Sequence, residues 1–378
     1  MKVLHLISGG DTGGAKTHIL SLFHGLNKLI DAKIICFIED TFYHEARQAG
    51  IDIEVYRQSN RADMSVVKRL IDEINNKDYD LVHCHGARAN FISMFLRFKV
   101  KKPFITTIHS DYMLDFKDNF YKRLIFTQLN LFALKRFKYF IAVSDSFKDM
   151  LVDRGFKGEN VFTVYNGINL DQEVAYRTRE DFLASYEIDG EGKILVGIMA
   201  RLDKVKDHDT FLRAAGLALE KNKDLEFLIA GDGGERERLE KLALDLGIDD
   251  KVHFLGYLKD VYSFLNAIDI NSLSSLSESF PYAILEGAYM KKPIVSTRVG
   301  GLVKLVEDGR NGYLVDVGDY EALASRILEL SQNKERIGEM GERLYDKVRE
   351  NYSSDKMARD HLAIYERILS LGKGEANA

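Results

Sequence analysis

The chain has 378 residues, 46% of them hydrophobic and 29% charged, and a net charge of −5. That make-up excludes a fibrous or disordered protein, and at roughly 150 residues per domain it predicts two domains. The negative balance argues against a dedicated nucleic-acid binder. Residues 1–170, however, carry +5 and the remainder −10, so the first half suits an anionic surface or acceptor.

No apolar run reaches the ~18–20 residues of a membrane-spanning helix. The start, MKVLHLISGG, runs into a strand pattern without a signal-peptide layout, and a cytoplasmic protein is expected. Cys36 and Cys84 sit in apolar strand-like runs and read as buried thiols, with no disulfide framework.

Short β-branched and aromatic runs alternate with stretches of helical spacing, the pattern of βαβ units and parallel sheets. Strands are expected at Lys2 to Ile7, Lys33 to Ile38, Ile53 to Tyr56, Asp80 to Cys84, Phe104 to Ile108, Phe140 to Val143 and Val161 to Val164. The polar stretch 168–192 interrupts the alternation and marks a domain boundary. Strands resume at Lys193 to Met199, Leu225 to Ala230, Val252 to Leu255, Ile270 to Ser272, Pro293 to Ser296 and Gly312 to Val315, and a helical tail follows from about Asp319.

Ligands of doubly wound sheets bind beyond the carboxyl ends of strands, so the loops there carry the candidates. The first, SGGDTGGAKTH, brings four glycines ahead of a helix and allows close backbone approach to an anion, with Gly14 at the helix start. It is not a GxGxxG fingerprint. In ARLDKVKDHDTFL, Arg201 and Lys206 share one loop and can neutralise a diphosphate in place of a metal ion. The neighbouring aspartates lack the glycine and glutamate of a calcium loop.

In SESFPYAILEGAYMKKPIVSTRVGG, Glu278 and Glu286 stand eight apart around the Ser279-Phe280-Pro281 turn, which starts a helix. N–H groups of that turn suit a phosphate. Glu278 suits sugar hydroxyls, and Glu286 a hydroxyl pair such as a ribose. His109 follows an apolar strand into a loop and is a further candidate.

These strings, with DLVHCHG, TTIHSDY, IAVSDSF, VYNGI, LIAGDGGERERLE, VHFLGY and EDGRNGYLV, resemble the retaining glycosyltransferase family 4 (glycosyl transferases group 1) along nearly the whole chain. The resemblance implies a GT-B fold, two Rossmann-like α/β/α domains facing across a cleft. Residues 1–168 would form the acceptor-side domain, 190–355 the nucleotide-sugar domain, and a helix at about 356–372 would pack back on the first. It implies sugar transfer from a nucleotide sugar, a UDP-sugar by family frequency, to a hydroxyl of a glycan or lipid-linked acceptor with retention of configuration.

By resemblance Glu278 contacts the donor sugar, Glu286 the ribose, Arg201 and Lys206 the diphosphate, His109 the sugar side and Gly14 the phosphate side. No metal or other cofactor is implied. Lys16 stands where the family often has an acidic residue, and Ala200 where it often has glycine. The alternatives are a GT-B sugar-nucleotide epimerase or phosphorylase, of which the epimerase would convert donor without an acceptor, and a non-catalytic nucleotide-sugar-binding subunit.

His83 and His85, two apart on a strand, lack an apparent third ligand and read as packing or hydrogen-bonding residues; His5 reads as core. The stretch FYKRLIFTQLNLFALKRFKYF mixes aromatic with basic residues. It is weighed as a peripheral contact with the inner face of a membrane against an ordinary helix with a solvated basic edge.

Overall fold

The computed structural model describes residues 1–10, 13–59, 63–111, 113 and 127–376, with side chains as far as 372. The chain forms two compact units, Met1–Asn169 with Ser353–Ala378, and Leu170–Tyr352.

Unit 1 is built on a seven-stranded parallel sheet of β1 (Lys2–Ile7), β2 (Asp31–Cys36), β3 (Ile53–Val55), β4 (Leu81–His85), β5 (Phe104–Ile108), β6 (Tyr139–Ala142) and β7 (Val161–Thr163). Its order is β3-β2-β1-β4-β5-β6-β7. Unit 2 carries β8 (Ile194–Met199), β9 (Leu225–Ala230), β10 (Val252–Gly256), β11 (Ile270–Leu273), β12 (Ile294–Thr297) and β13 (Gly312–Val315), in the order β10-β9-β8-β11-β12-β13. All thirteen expected strands are present. β4 and β5 are buried at every position, because helices cover both faces of such sheets and the strands read as continuous apolar runs.

The order reverses direction between β1 and β4 in one sheet and between β8 and β11 in the other. These are the switch points at which loops from neighbouring strands diverge and leave a crevice.

The helices follow from spacing and caps. In Ser65–Asn76, Val66, Leu70 and Ile74 recur every four residues and are buried as one stripe. Ser144, Thr178 and Asp319 each accept a hydrogen bond from a backbone N–H three residues on and so open their helices.

The polar stretch read as a linker belongs to unit 2 from Leu170 onward. Its helix Arg179–Ala184 buries Phe182 and Leu183 beside Phe264, and Arg179 pairs with Asp269 at 2.9 Å. Two apolar residues among acidic neighbours are enough to dock a short helix.

The tail divides into helices Tyr320–Ser331, Lys334–Asn351 and Ser354–Ala376. The last packs on Gly14–Leu26, where a Cβ at Gly25 would come within 2.8 Å of the Ala358 Cβ and the Ser354 carbonyl oxygen. Only glycine permits that approach. Met357, Ala358, Tyr365 and Ile368 complete the core on this face of the sheet.

Cys36 and Cys84 are free and buried. Of the basic aromatic stretch, Phe120, Lys122, Arg123 and Phe126 lie outside the described residues. Phe137 and Phe140 are core, whereas Phe132, Lys135, Arg136 and Lys138 are exposed. Among the described residues no helix is long and apolar enough to cross a membrane.

Candidate active site

In unit 2 the loops after β8 and β11 meet at the switch point. Leu276 N–H donates to the Val205 carbonyl at 2.8 Å and Ser274 Oγ to the Lys206 carbonyl at 3.0 Å, which ties the two loops together. Asp203 accepts from the N–H groups of Val205 and Lys206, and Asp207 adopts a left-handed conformation with φ 46° before the helix His208–Lys221. A non-glycine residue there is uncommon and shows a tightly constrained turn. Its product is the position of Lys206, whose Nζ donates to Glu278 Oε1 at 2.6 Å. Ser275 Oγ donates to the same oxygen at 2.6 Å, and Thr297 Oγ1 fixes the Ser275 carbonyl at 2.7 Å.

Lys206 and Glu278 side chains are 19% and 8% exposed, enough shielding for a 2.6 Å ion pair to hold its geometry. Glu278 Oε2 accepts no hydrogen bond among the described residues. One oxygen is therefore anchored and the other is available to a ligand hydroxyl. Arg201 is placed differently: its side chain is 80% exposed and pairs with Asp203 at 3.1 Å. The two cations share a loop, but only Lys206 is gathered to Glu278.

Glu286 sits on the helix Tyr282–Tyr289, over a turn beyond Pro281. Desolvation by the surrounding protein raises its pKa to about 7, and no hydrogen bond or ion pair to its carboxyl occurs among the described residues. Glu286 is half-buried, and a carboxyl partly withdrawn from water and given no partner there gains from a ligand that satisfies it. The Ser279 carbonyl accepts from Gly301 N–H at 2.7 Å. The Phe280 ring is buried at 4.9 Å from that of Tyr352, so its side chain is core and only its backbone remains for a ligand. Pro281 has no N–H; the donors of the helix start follow it, from Tyr282 onward.

Three glycines enable this packing. A Cβ on Gly300, at φ 52°, would lie 2.1 Å from the Glu278 carbonyl oxygen. One on Gly231, at φ 142°, would lie 1.9 Å from that of Ala200, and one on Gly233 would lie 2.3 Å from that of Leu202. Ser275 and these glycines were not singled out from the residues alone, although GDGG and RVGG stand in plain view in the sequence.

In unit 1, Gly9 at φ 95° brings the loop after β1 against Ile38. Gly14 opens the helix Gly14–Leu26 in open space. Lys16 is committed to Glu45 at 2.8 Å. One turn on from Gly14, His18 is buried with its ring 4.6 Å from that of His109, which stands directly after β5. Burial lowers the His109 pKa well below the ordinary value, so the imidazole is neutral at pH 7. His109 Nε2 is 3.3 Å from His85 Nδ1, and His85 Nε2 is 3.0 Å from His5 Nδ1. His83 and His85 thus belong to a larger histidine cluster, not to an isolated pair.

The chain matches the family described as Glycosyltransferase Family 4 over residues 12–172 and that described as Glycosyl transferases group 1 over 179–350. It is 28% identical to the N-acetyl-alpha-D-glucosaminyl L-malate synthase of Bacillus anthracis over 81% of this chain and 80% of that one. The O-antigen biosynthesis glycosyltransferase WclY of Escherichia coli is 22% identical over 97% and 99%. Among solved structures, HepE of Anabaena in complex with UDP superposes with a TM-score of 0.81 at 20% identity, over 97% of this chain and all of that one. TarM superposes at 0.75 and 14%, over 97% and 99%. With two matched families side by side on two switch-point sheets, the chain is a glycosyltransferase of family 4, with the GT-B fold.

Proposed function

We propose that the enzyme transfers a sugar from a nucleoside diphosphate sugar, with UDP as the nucleotide, to a hydroxyl of a glycan or lipid-linked acceptor, with retention of configuration. The observation that carries the donor assignment is the Lys206–Glu278 pair at the β8/β11 switch point, where a cation for phosphate and a half-satisfied carboxylate for sugar hydroxyls stand 2.6 Å apart. Structures of HepE with UDP and with UDP-glucose support the choice of donor.

In this reading Lys206 and Arg201 offset the charge that grows on the diphosphate as the glycosidic bond breaks. The N–H groups that follow Ser279, Phe280 and Pro281 meet a phosphate, and Glu278 Oε2 holds the sugar. Glu286 takes the ribose hydroxyls, and the neutral His109 offers a hydrogen bond on the sugar side. Gly14 lies with the phosphate side. The residues position and neutralise; no acid–base pair is required of them, and no metal is assigned to the transfer.

Thermal denaturation with a panel of nucleoside diphosphates tests the donor. A ligand at about 100 times its Kd adds about 2.7 kcal/mol of stability. UDP is expected to raise the midpoint most, and an equal response to every nucleotide would remove the UDP assignment. Incubation with UDP-sugars and no acceptor should yield slow hydrolysis; epimerised donor would replace transfer by the epimerase reading.

A further inference from the structure

Six histidines, His5, His18, His83, His85, His109 and His361, are gathered within unit 1 around the β1/β4 switch point. Two triads have ring nitrogens within 4.8 Å of one another: His5, His83 and His85, and His18, His85 and His109. The chemistry separates them. Both nitrogens of His83 are in use, Nδ1 with Tyr365 OH and Nε2 with Thr107 Oγ1, each at 2.7 Å. In the first triad, ligation by His83 would therefore break one of its hydrogen bonds.

The second triad is arranged differently. His18 Nδ1 donates to Asn166 Oδ1 at 2.9 Å, which leaves the lone pair on Nε2, and that atom is fully buried with no hydrogen-bond partner. His85 Nε2 is held by His5 Nδ1 at 3.0 Å, leaving Nδ1 toward His109 Nε2 at 3.3 Å. Metal-binding imidazoles are oriented in this way, by a hydrogen bond on the nitrogen that does not bind. Nitrogens at the usual ~2.0–2.1 Å from a tetrahedral Zn²⁺ lie about 3.3 Å apart. The spacing of His85 Nδ1 and His109 Nε2 already has that value, and a ring nitrogen of His18 lies within 4.8 Å of ring nitrogens of both. His18 and His85 are buried while His109 is partly exposed, so the cluster has one edge that solvent reaches.

We propose that His18 Nε2, His85 Nδ1 and His109 Nε2 form a binding site for a divalent transition-metal ion of the zinc class, with Asn166 and His5 as the hydrogen-bonded supports. Imidazole nitrogens select such an ion over magnesium or calcium, which take oxygen ligands. The ion is not required for transfer. It occupies the nitrogen that the functional reading gives to the sugar, so on that reading zinc inhibits.

The test uses the full chain, freed of metal by chelator and dialysis. Zn²⁺ is titrated in competition with a chromophoric chelator, and Co²⁺ is added separately as a spectroscopic probe. The expected results are one equivalent of tight zinc binding, an intense tetrahedral Co²⁺ band in the visible, and no competition from excess Mg²⁺. His18→Asn keeps an N–H toward Asn166 and removes Nε2; it should lose the band and at least tenfold in zinc affinity while retaining UDP binding. His361→Gln, outside the triad, should retain both. A native protein with no tetrahedral Co²⁺ band, or equal zinc affinity in the native and His18→Asn proteins, overturns the site. Zinc binding without inhibition upholds the site and removes His109 from the transfer reaction.

Discussion

At the scale of single residues, Glu286 and Glu278 are both carboxylates on one loop-helix segment, yet their surroundings divide their tasks. Glu278 is ion-paired and half satisfied, whereas Glu286 is partly desolvated and its carboxyl has no partner among the described residues. Its raised pKa has a measurable effect without any substrate. The folded protein holds a proton on Glu286 up to about pH 7, while the unfolded chain releases it near the ordinary 4.5. Stability contributed by the neutral carboxyl is therefore full below about pH 4.5 and is lost as pH rises through 7. Glu286→Gln mimics the neutral form at every pH. Its unfolding midpoint should match the native one near pH 5 and exceed it increasingly toward pH 8. A constant difference across that range would show that the carboxyl is not desolvated as described.

At the scale of elements, the site is a pair of loops stitched by backbone hydrogen bonds and pressed together by glycines. Gly231→Ala places a Cβ 1.9 Å from the Ala200 carbonyl at a positive φ, so it should cost roughly 2–4 kcal/mol in unit 2, read from denaturant unfolding. Gly234→Ala, with open space around it, should cost under about 1 kcal/mol. The elements themselves are legible in the sequence, since parallel strands buried on both faces announce themselves as apolar runs such as LEFLIA and FITTI. The hydrogen bonds between loops are not legible. Ser275 is one serine among several in SLSSLSESF, and only the fold shows which of them reaches Glu278. Nor does spacing show that Arg201 points to solvent while Lys206 is gathered in.

At the scale of the whole molecule, both sheets reverse strand order between their first and fourth strands in chain order, β1/β4 and β8/β11, and the candidate residues cluster there. The histidine cluster shows the limit of reading along the chain. Its members span positions 5 to 361, and β1–β4 pairing sets His5 opposite His83, with Ile7 opposite His85. Along the sequence they form one close pair and four single residues.

The neutralising role given to Lys206 and Arg201 also makes a prediction for the intact enzyme: transfer should continue in excess EDTA. Loss of turnover that magnesium or manganese restores would place a metal on the diphosphate instead.

The most direct measurement is calorimetric titration of UDP into the native protein, Glu278→Gln and Glu286→Gln. UDP has a ribose and a diphosphate but no sugar. At pH 8, where the Glu286 carboxyl is ionised, Glu286→Gln should therefore weaken binding by about 1.5–3 kcal/mol, roughly 10- to 150-fold, through loss of one charged hydrogen bond. Glu278→Gln should bind UDP within a few-fold of native and lose kcat instead. Equal weakening in both variants, or native affinity in Glu286→Gln, would contradict the assignment of the two carboxylates to separate parts of the donor.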